Sequence, residues 1–147
     1  MIEDEILHRS GLHPAPQHLD HIRELLQAQA ELQRQSQGGG DTEVMKLCCV
    51  QLFNAGALSD VLPVSRARSS SWDAACSIHV QLLCGQGLAE TTAYLAAERS
   101  EIAANALEHI RHAEAAGDFT GFTHSRRSGR LVRRLLPNLI RFEREQR

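Results

Sequence analysis

The feature that most constrains this sequence is a series of segments in which apolar residues recur at helical spacing, most of them followed by glycine. Residues three and four apart lie on one face of a helix, so each segment can turn one apolar stripe toward a core. The clearest stripes lie in 17–35 (Leu19, Ile22, Leu25, Leu26 and Leu32) and in 101–116 (Ile102, Ala103, Ala106, Leu107, Ile110 and Ala113). The composition agrees, because the chain has 19 Leu and 18 Ala but only 18 Val, Ile and Thr together.

This pattern predicts an all-α fold: a compact single domain of about six or seven helices. The predicted helices are 2–9, 17–35, 42–55, 72–84, 88–97, 101–116 and 128–146. The segment 42–55 is apolar nearly all round, which predicts a central helix. Ser70 with Asp73 three residues later resembles a capping box and predicts the start of helix 72–84. We expect an irregular stretch over 57–71, because Pro63 breaks a long helix.

The domain organisation follows from length, glycine and an internal similarity. A length of 147 residues fits one domain, 1–147, and the glycines at 38–40 predict a hinge between an N-terminal helical arm, 1–37, and a helical core, 41–147.

Within the core, 50–53 followed by 58–60 matches 80–83 followed by 88–90, at an offset of 30 residues. Such spacing is typical of stacked helical hairpins, an α-solenoid-like arrangement. The alternative is coincidence among Leu-rich helices that end in glycine.

The net charge indicates which binding partners to expect, and the cysteines indicate the cellular compartment. The formal net charge of −2 gives no bulk attraction to polyanions or polycations. Cys48, Cys49, Cys76 and Cys84 all fall in apolar stretches and form no CxxC, which favours reduced, buried thiols in the cytoplasm. No signal peptide is recognisable at Met1, and no apolar run approaches the roughly 18 residues that span a bilayer.

Two histidine pairs are candidate metal ligands. His18 with His21 and His109 with His112 are each spaced i, i+3, so each pair can share one helix face and one metal ion. However, a catalytic zinc usually needs three protein ligands, and His112 falls opposite the apolar stripe of its helix. We therefore favour solvated histidines and predict neither a metal nor another cofactor.

One trio could carry catalysis. Asp73, Cys76 and His79 follow one another at i, i+3 and i+6 along the predicted helix 72–84, where Cys76 with His79 could form a thiolate–imidazole pair. Against this, a nucleophile and a base on one straight helix rarely aim at the same substrate atom. The apolar neighbours of Cys76 favour an inert, buried thiol, and Trp72 at the start of the helix is interpreted as a core residue.

Arginines mark two candidate binding surfaces. Residues 124–147 contain eight Arg against two Glu, and the predicted last helix separates leucines on one face from arginines on the other. The candidate contact residues there are Arg126, Arg127, Arg130, Arg133, Arg134 and Arg141. A basic amphipathic helix can bind an anionic membrane, a partner's groove or phosphates, although most charged faces are simply solvated. Arg66 and Arg68 mark the second candidate surface, in the irregular stretch 57–71.

These observations favour a non-enzymatic protein-interaction module such as an adaptor, an inhibitor or an immunity-type binder. The partner is expected to be another protein. Because Phe142 falls on the apolar face of the last helix, no aromatic is interleaved on its arginine face for base stacking, which argues against nucleic acid. Two alternatives stay open: a small enzyme or metalloprotein using the trio or the histidine pairs, and an anionic-surface or nucleic-acid binder acting through the last helix. The hinge at 38–40 also makes a homo-oligomer conceivable, since the 17–35 helix could pack on a second copy.

Overall fold

Seven α-helices form the protein in the computed structural model, which describes residues 2–36, 39–120 and 122. They are α1 (Ile2–Ser10), α2 (Pro16–Gln35), α3 (Thr42–Ala55), α4 (Val61–Arg68), α5 (Trp72–Ser77), α6 (Leu88–Ala97) and α7 (Glu101–Ala115). Two 3₁₀ turns, Leu58–Asp60 and Val80–Leu83, precede α4 and α6. No strand occurs within the described ranges, and the prediction of a compact all-α domain is confirmed.

Helix α3 lies at the centre of the core, as its sequence predicts. Its buried residues cover the whole circumference and are Val44, Met45, Leu47, Cys48, Cys49, Val50, Gln51, Leu52, Phe53 and Asn54. The Asp41 carboxylate caps the helix by accepting hydrogen bonds from the backbone N–H groups of Glu43, at 3.0 Å, and Val44, at 3.1 Å. Gly56 ends it at φ +74°, a left-handed conformation that favours glycine. Burying each large aliphatic side chain contributes about 1.5–3 kcal/mol, so α3 supplies much of the folding free energy.

Helix α2 packs against α3 and α4, and its Ile22, Leu26 and Ala30 belong to the same hydrophobic core as α3. At the predicted hinge, a Cβ atom on Gly40 would lie 2.5 Å from the Gln29 carbonyl oxygen, so the close approach of the chain to α2 requires glycine. Asp41 N–H donates to Gln29 Oε1 at 2.8 Å. The described part of this segment is thus tied to α2, and bending at the hinge stays a prediction.

Polar side chains connect the N-terminal helices to the rest of the core. Arg23 on α2 donates through Nε and Nη2 to both oxygens of Asp60, at 2.7 and 3.0 Å, and Asp60 is almost fully buried. These hydrogen bonds raise the pKa of Arg23. On α3, the Gln51 and Asn54 amides donate to the carbonyl oxygens of Gly11 and Leu12, both at 2.7 Å. The connection between α1 and α2 is therefore held by buried side chains.

The stretch 57–71 is more regular than predicted. Helix α4 runs through it and includes Pro63. Pro63 is the third residue of α4, and the first N–H groups of a helix have no intrahelical acceptor, so proline costs little at this position. The expectation of an irregular stretch is therefore wrong for 61–68, where a short helix includes Pro63 because it begins only two residues before it.

The segment predicted as one helix over 72–84 is divided in the structure. Helix α5 ends at Ser77, Ile78 and His79 are extended, and 80–83 forms a 3₁₀ turn. The capping residue is Ser71, whose hydroxyl accepts from Ala74 N–H at 3.0 Å; the Ser70 hydroxyl instead donates to the Ala67 carbonyl oxygen. The predictions of a long helix and of a Ser70 cap are therefore wrong.

Helices α6 and α7 pack on each other and close the other side of the core. Ser100 caps α7 by accepting from Ala103 N–H at 3.1 Å, and the predicted stripe is buried or half-buried. The two similar segments differ in local structure, since 50–53 lies in α3 whereas 80–83 is a 3₁₀ turn. Their glutamines nevertheless behave alike: Gln51 and Gln81 are both buried and both donate to a backbone carbonyl. The helical repeat stays a prediction.

Two further predictions concern the C-terminal helix and membrane-spanning segments. The C-terminal helix predicted over 128–146 lies outside the described residues. Within the residues that were searched, no helix is both long and apolar enough to cross a bilayer.

Candidate functional site

A polar cavity of about 570 Å³ opens beside α5, and we call it the α5 cleft. Its lining residues are Arg68, Ala75, Cys76, His79, Val80, Gln81, Gly117, Asp118 and Thr120. They come from the end of α4, the second half of α5, the extended residue His79, the 3₁₀ turn at 80–83 and the turn after α7. The volume lies within the range of typical small-ligand sites, about 300–1,000 Å³.

The cleft forms because α5 is short. Ile78 leaves the helix at φ −102° and ψ 103°, and its side chain is fully buried in the core. This extended residue exposes a carbonyl oxygen that accepts a hydrogen bond from Arg68 Nε at 2.9 Å. The apolar anchor at Ile78 therefore turns His79 out of the helix and fixes Arg68 at the wall of the cleft.

The opposite wall is the turn that follows α7. Gly117 adopts φ +87°, and the buried Gln81 side chain donates through Nε2 to the Asp118 carbonyl oxygen at 3.0 Å. Phe119 is buried and meets Phe122 edge to face, with ring centroids 5.2 Å apart. These contacts hold Asp118 and Thr120 at the cleft.

Arg68 dominates the electrostatics of the site. Its side chain is half-buried, and desolvation lowers its pKa, an effect that the nearby Cys76 thiol opposes. Its recorded hydrogen bond is the one from Nε, and no carboxylate among the described residues pairs with it. A partly desolvated cation that lacks an anionic partner favours binding of an anion.

Helical spacing puts Trp72 on the same face of α5 as Cys76, which lines the cleft. The two residues are spaced i, i+4, whereas the buried Ala74 is 200° away from Trp72 at 100° per residue. Trp72 is 73% exposed, so its interpretation as a core residue is wrong. Large exposed apolar side chains are rare here: among the described residues only Leu32, at 42%, joins it.

The structure brings together two of the three residues in the proposed trio. Cys76 and His79 both line the cleft, whereas Asp73 is exposed and is not part of its lining. The trio does not share one helix, since His79 lies beyond the end of α5. The expectation of an inert, buried Cys76 is also wrong, because this thiol is exposed.

The other cysteines are buried as predicted. Burial raises the pKa of Cys48 and of Cys84 to about 12 and raises that of Cys49 well above its usual value. These three thiols stay protonated near neutral pH and are shielded from reagents, so Cys76 is chemically distinct from them.

The remaining candidates are dispersed. His18 is half-buried, while His21, His109 and His112 are exposed. Among the residues searched, no three His, Cys, Asp or Glu side chains are grouped closely enough to hold a metal ion. Arg66 is exposed and lines a separate cavity of about 210 Å³ with Arg34, Ser65, Ser69, Ile102 and Asn105. The C-terminal candidates Arg126, Arg127, Arg130, Arg133, Arg134 and Arg141 lie outside the described residues.

Comparisons with protein-family models, curated proteins and solved structures found no match to this chain.

Sequence reasoning did not identify Gln81, Asp118 or Thr120 as residues of the site. They are brought to the cleft by the packing of the 3₁₀ turn against the turn after α7, a contact without a local sequence signal. The exposure of Trp72 did have a signal. If Ala74 and Ile78 face the core, helical geometry turns residue 72 toward solvent.

Proposed function

We propose that this protein is a non-enzymatic interaction module that binds a segment of another protein at the α5 cleft. The segment combines an acidic side chain, which pairs with Arg68, with an apolar side chain, which packs on Trp72. An adaptor, an inhibitor and an immunity-type binder all fit this description.

The single observation that carries the proposal is the exposure of Trp72 beside a polar cleft. Leaving an indole ring in water forgoes about 1.5–3 kcal/mol of burial free energy that a core position would recover. Tryptophan and arginine are the residues that most often dominate the free energy of binding at protein interfaces, especially where they border a pocket. Arg68 supplies one of these residue types in the lining of the cleft, and Trp72 supplies the other on the helix face that carries Cys76.

Charge complementarity gives the partner its chemistry. Arg68 is fixed through Nε, and the Nη1 and Nη2 groups of a guanidinium are suited to bidentate contact with a carboxylate. Half-burial makes such a contact stronger than a solvent-exposed ion pair. An acidic residue in the partner therefore supplies the anion that no described residue supplies to Arg68.

The experiment selects phage-displayed random peptides against the whole protein and then titrates an enriched peptide, labelled for anisotropy. Enriched sequences are expected to place Asp or Glu near an apolar residue. Trp72→Ala and Arg68→Met should each weaken binding at least about tenfold, as expected for interface hot spots. Arg111→Ala is the matched control, since Arg111 is exposed and lies outside the lining of the cleft.

Two results contradict the proposal. One is enrichment without acidic residues, and the other is peptide binding that Trp72→Ala and Arg68→Met leave at the level of Arg111→Ala. Circular dichroism of each variant checks that the helices are retained.

A second candidate function is catalysis by the thiol, and the observation that favours it is that Cys76 and His79 line one cleft. It predicts a covalent intermediate on Cys76 that Cys76→Ser abolishes while thermal stability is unchanged. The peptide-binding proposal predicts instead that Cys76→Ser retains function.

We also place the protein in the cytoplasm, where thiols remain reduced. Titration of the unfolded chain, isolated without reductant, should then find all four thiols free. Homo-oligomerisation is a further proposal, and light scattering after size exclusion tests it.

A further inference from the structure

Cys76 differs from every other cysteine of the chain in its access to solvent. Cys48, Cys49 and Cys84 have no exposed surface, whereas Cys76 is exposed and lines the α5 cleft. A reagent that enters the cleft therefore meets one thiol. The cavity of about 570 Å³ leaves room for a small organic group bonded to this sulfur.

The neighbours of Cys76 give the site a preference for charge. Arg68 lines the same cleft as Cys76, and it is half-buried, so water screens its positive charge incompletely. His79 lines the same cleft. Two carboxylates oppose this field: Asp118, in the lining, and Asp73, one turn earlier on α5; both are exposed and better screened than Arg68.

We propose that Cys76 is a thiol-modification site that selects small disulfides bearing carboxylate groups. Arg68 binds the carboxylate and so raises the local concentration of the reagent at the sulfur. This inference concerns the chemistry of one side chain and does not depend on the interaction proposed above.

The reaction is thiol–disulfide exchange, in which the reagent supplies the oxidant. The Cys76 thiol loses its proton to solvent, and the thiolate attacks one sulfur of the reagent. The S–S bond of the reagent breaks, a new S–S bond forms to Cys76 Sγ, and the other half of the reagent leaves as a thiolate. One thiol is oxidised and one half of the reagent is reduced, so atoms and electrons balance.

The experiment compares two disulfides on the folded protein: the dianionic 5,5′-dithiobis(2-nitrobenzoate) and the neutral 4,4′-dithiodipyridine. The second-order rate constant for the dianionic reagent is divided by that for the neutral reagent. This ratio is then divided by the same ratio for N-acetylcysteinamide, which gives the normalised ratio. For the wild-type protein we expect one fast-reacting thiol of four, a normalised ratio above one, and a fall in that ratio with salt. Mass spectrometry of the product should place the adduct on Cys76.

Variants separate charge from structure. Arg68→Met removes the charge but keeps an unbranched stem and should lower the normalised ratio about fivefold, the effect of about 1 kcal/mol of Coulomb energy. Arg68→Lys keeps the charge and should largely restore the ratio. Asp118→Asn should raise it slightly, and Cys76→Ser should remove the fast phase.

The proposal is overturned if the fast phase survives Cys76→Ser, or if the wild-type ratio is independent of salt. It is equally overturned if Arg68→Met lowers the rates of both reagents alike. If Arg68→Met exposes the three buried thiols through unfolding, the salt dependence of the wild-type ratio and the Arg68→Lys variant still decide the matter.

Discussion

At the scale of the residue, the protein separates side chains that stabilise it from side chains that are left for contact. Trp72 and Ile110 illustrate the contrast, since the indole is 73% exposed and the isoleucine is fully buried. Helical geometry sets this difference: in an amphipathic helix, positions three and four apart form the stripe that faces the core, and the opposite face is left to water. Conventional hydrophobicity would place both residues in the core.

We therefore expect Trp72→Ala to change the free energy of unfolding by no more than about 0.5 kcal/mol, as at ordinary surface positions. Ile110→Ala should cost about 2–5 kcal/mol, because it leaves a cavity in the core. Urea unfolding followed by circular dichroism measures both values. A large loss for Trp72→Ala would mean that the indole is buried in solution.

The buried thiols make stability dependent on alkaline pH. Burial raises the pKa of Cys48 to about 12, above the value of 9.0 for a free thiol, so the unfolded state ionises first as pH rises. The contribution of Cys48 is thus complete below about pH 9 and is lost between pH 9 and 12, at up to about 1.4 kcal/mol per pH unit. Urea unfolding from pH 7 to 10.5 measures this slope. Cys48→Ala should make the slope shallower, and an unchanged slope would mean that this thiol is not the cause.

At the scale of the element, α5 decides where the site lies. Six residues are too few for a stable isolated helix, so its position depends on the Ser71 cap at one end and on the buried Ile78 at the other. The turn that Ile78 makes is what brings His79 and Cys76 into one cavity. The ends of this helix are therefore more important for function than its length.

We expect Ser71→Ala to destabilise the protein by about 1 kcal/mol, because the Ala74 N–H then loses its acceptor. Ser69→Ala is the matched control, since Ser69 is an exposed serine two residues away with no recorded side-chain hydrogen bond, and it should cost less than about 0.5 kcal/mol. Urea unfolding compares the two variants. Equal effects would argue that Ser71 is not the cap in solution.

The same helix shows how far sequence reasoning reaches. Asp41 and Ser100 cap α3 and α7, whereas α2 and α6 begin without a side-chain cap. The boundaries of these four helices could be predicted because apolar residues recur at helical spacing within them. Three of four cysteines were correctly predicted to be buried for the same reason. The break after Ser77 could not be predicted, since 72–84 is mostly apolar and the extended conformation at Ile78 depends on tertiary packing and on the Arg68 hydrogen bond. The candidate site depends on that break, so sequence alone could name Cys76 and His79 but could not predict the cleft that they line.

At the scale of the whole molecule, buried polar contacts join segments that are distant in sequence. Arg23 on α2 pairs with Asp60, 37 residues away, and Gln81 reaches across a similar separation to the Asp118 carbonyl oxygen. The first contact ties the N-terminal helices to the connection between α3 and α4, and the second closes one wall of the cleft. Both lie at junctions between helices, where a shift would open the shared core.

These contacts predict that the N-terminal helices and the rest of the described structure unfold together. Trp72 is the only tryptophan and reports from α5, while circular dichroism at 222 nm reports on all helices. If 1–37 were an independent arm, the two signals would give different midpoints in urea; we expect them to coincide.

Arg23→Met should lower both midpoints equally and cost about 3 kcal/mol, because it leaves the buried Asp60 carboxylate without its partner. Asp60→Asn should cost less, since Arg23 is one-third exposed and water can solvate it. A loss of helical signal that precedes the Trp72 transition in Arg23→Met would instead establish the arm as a separate unit, with the hinge at 38–40 as its boundary.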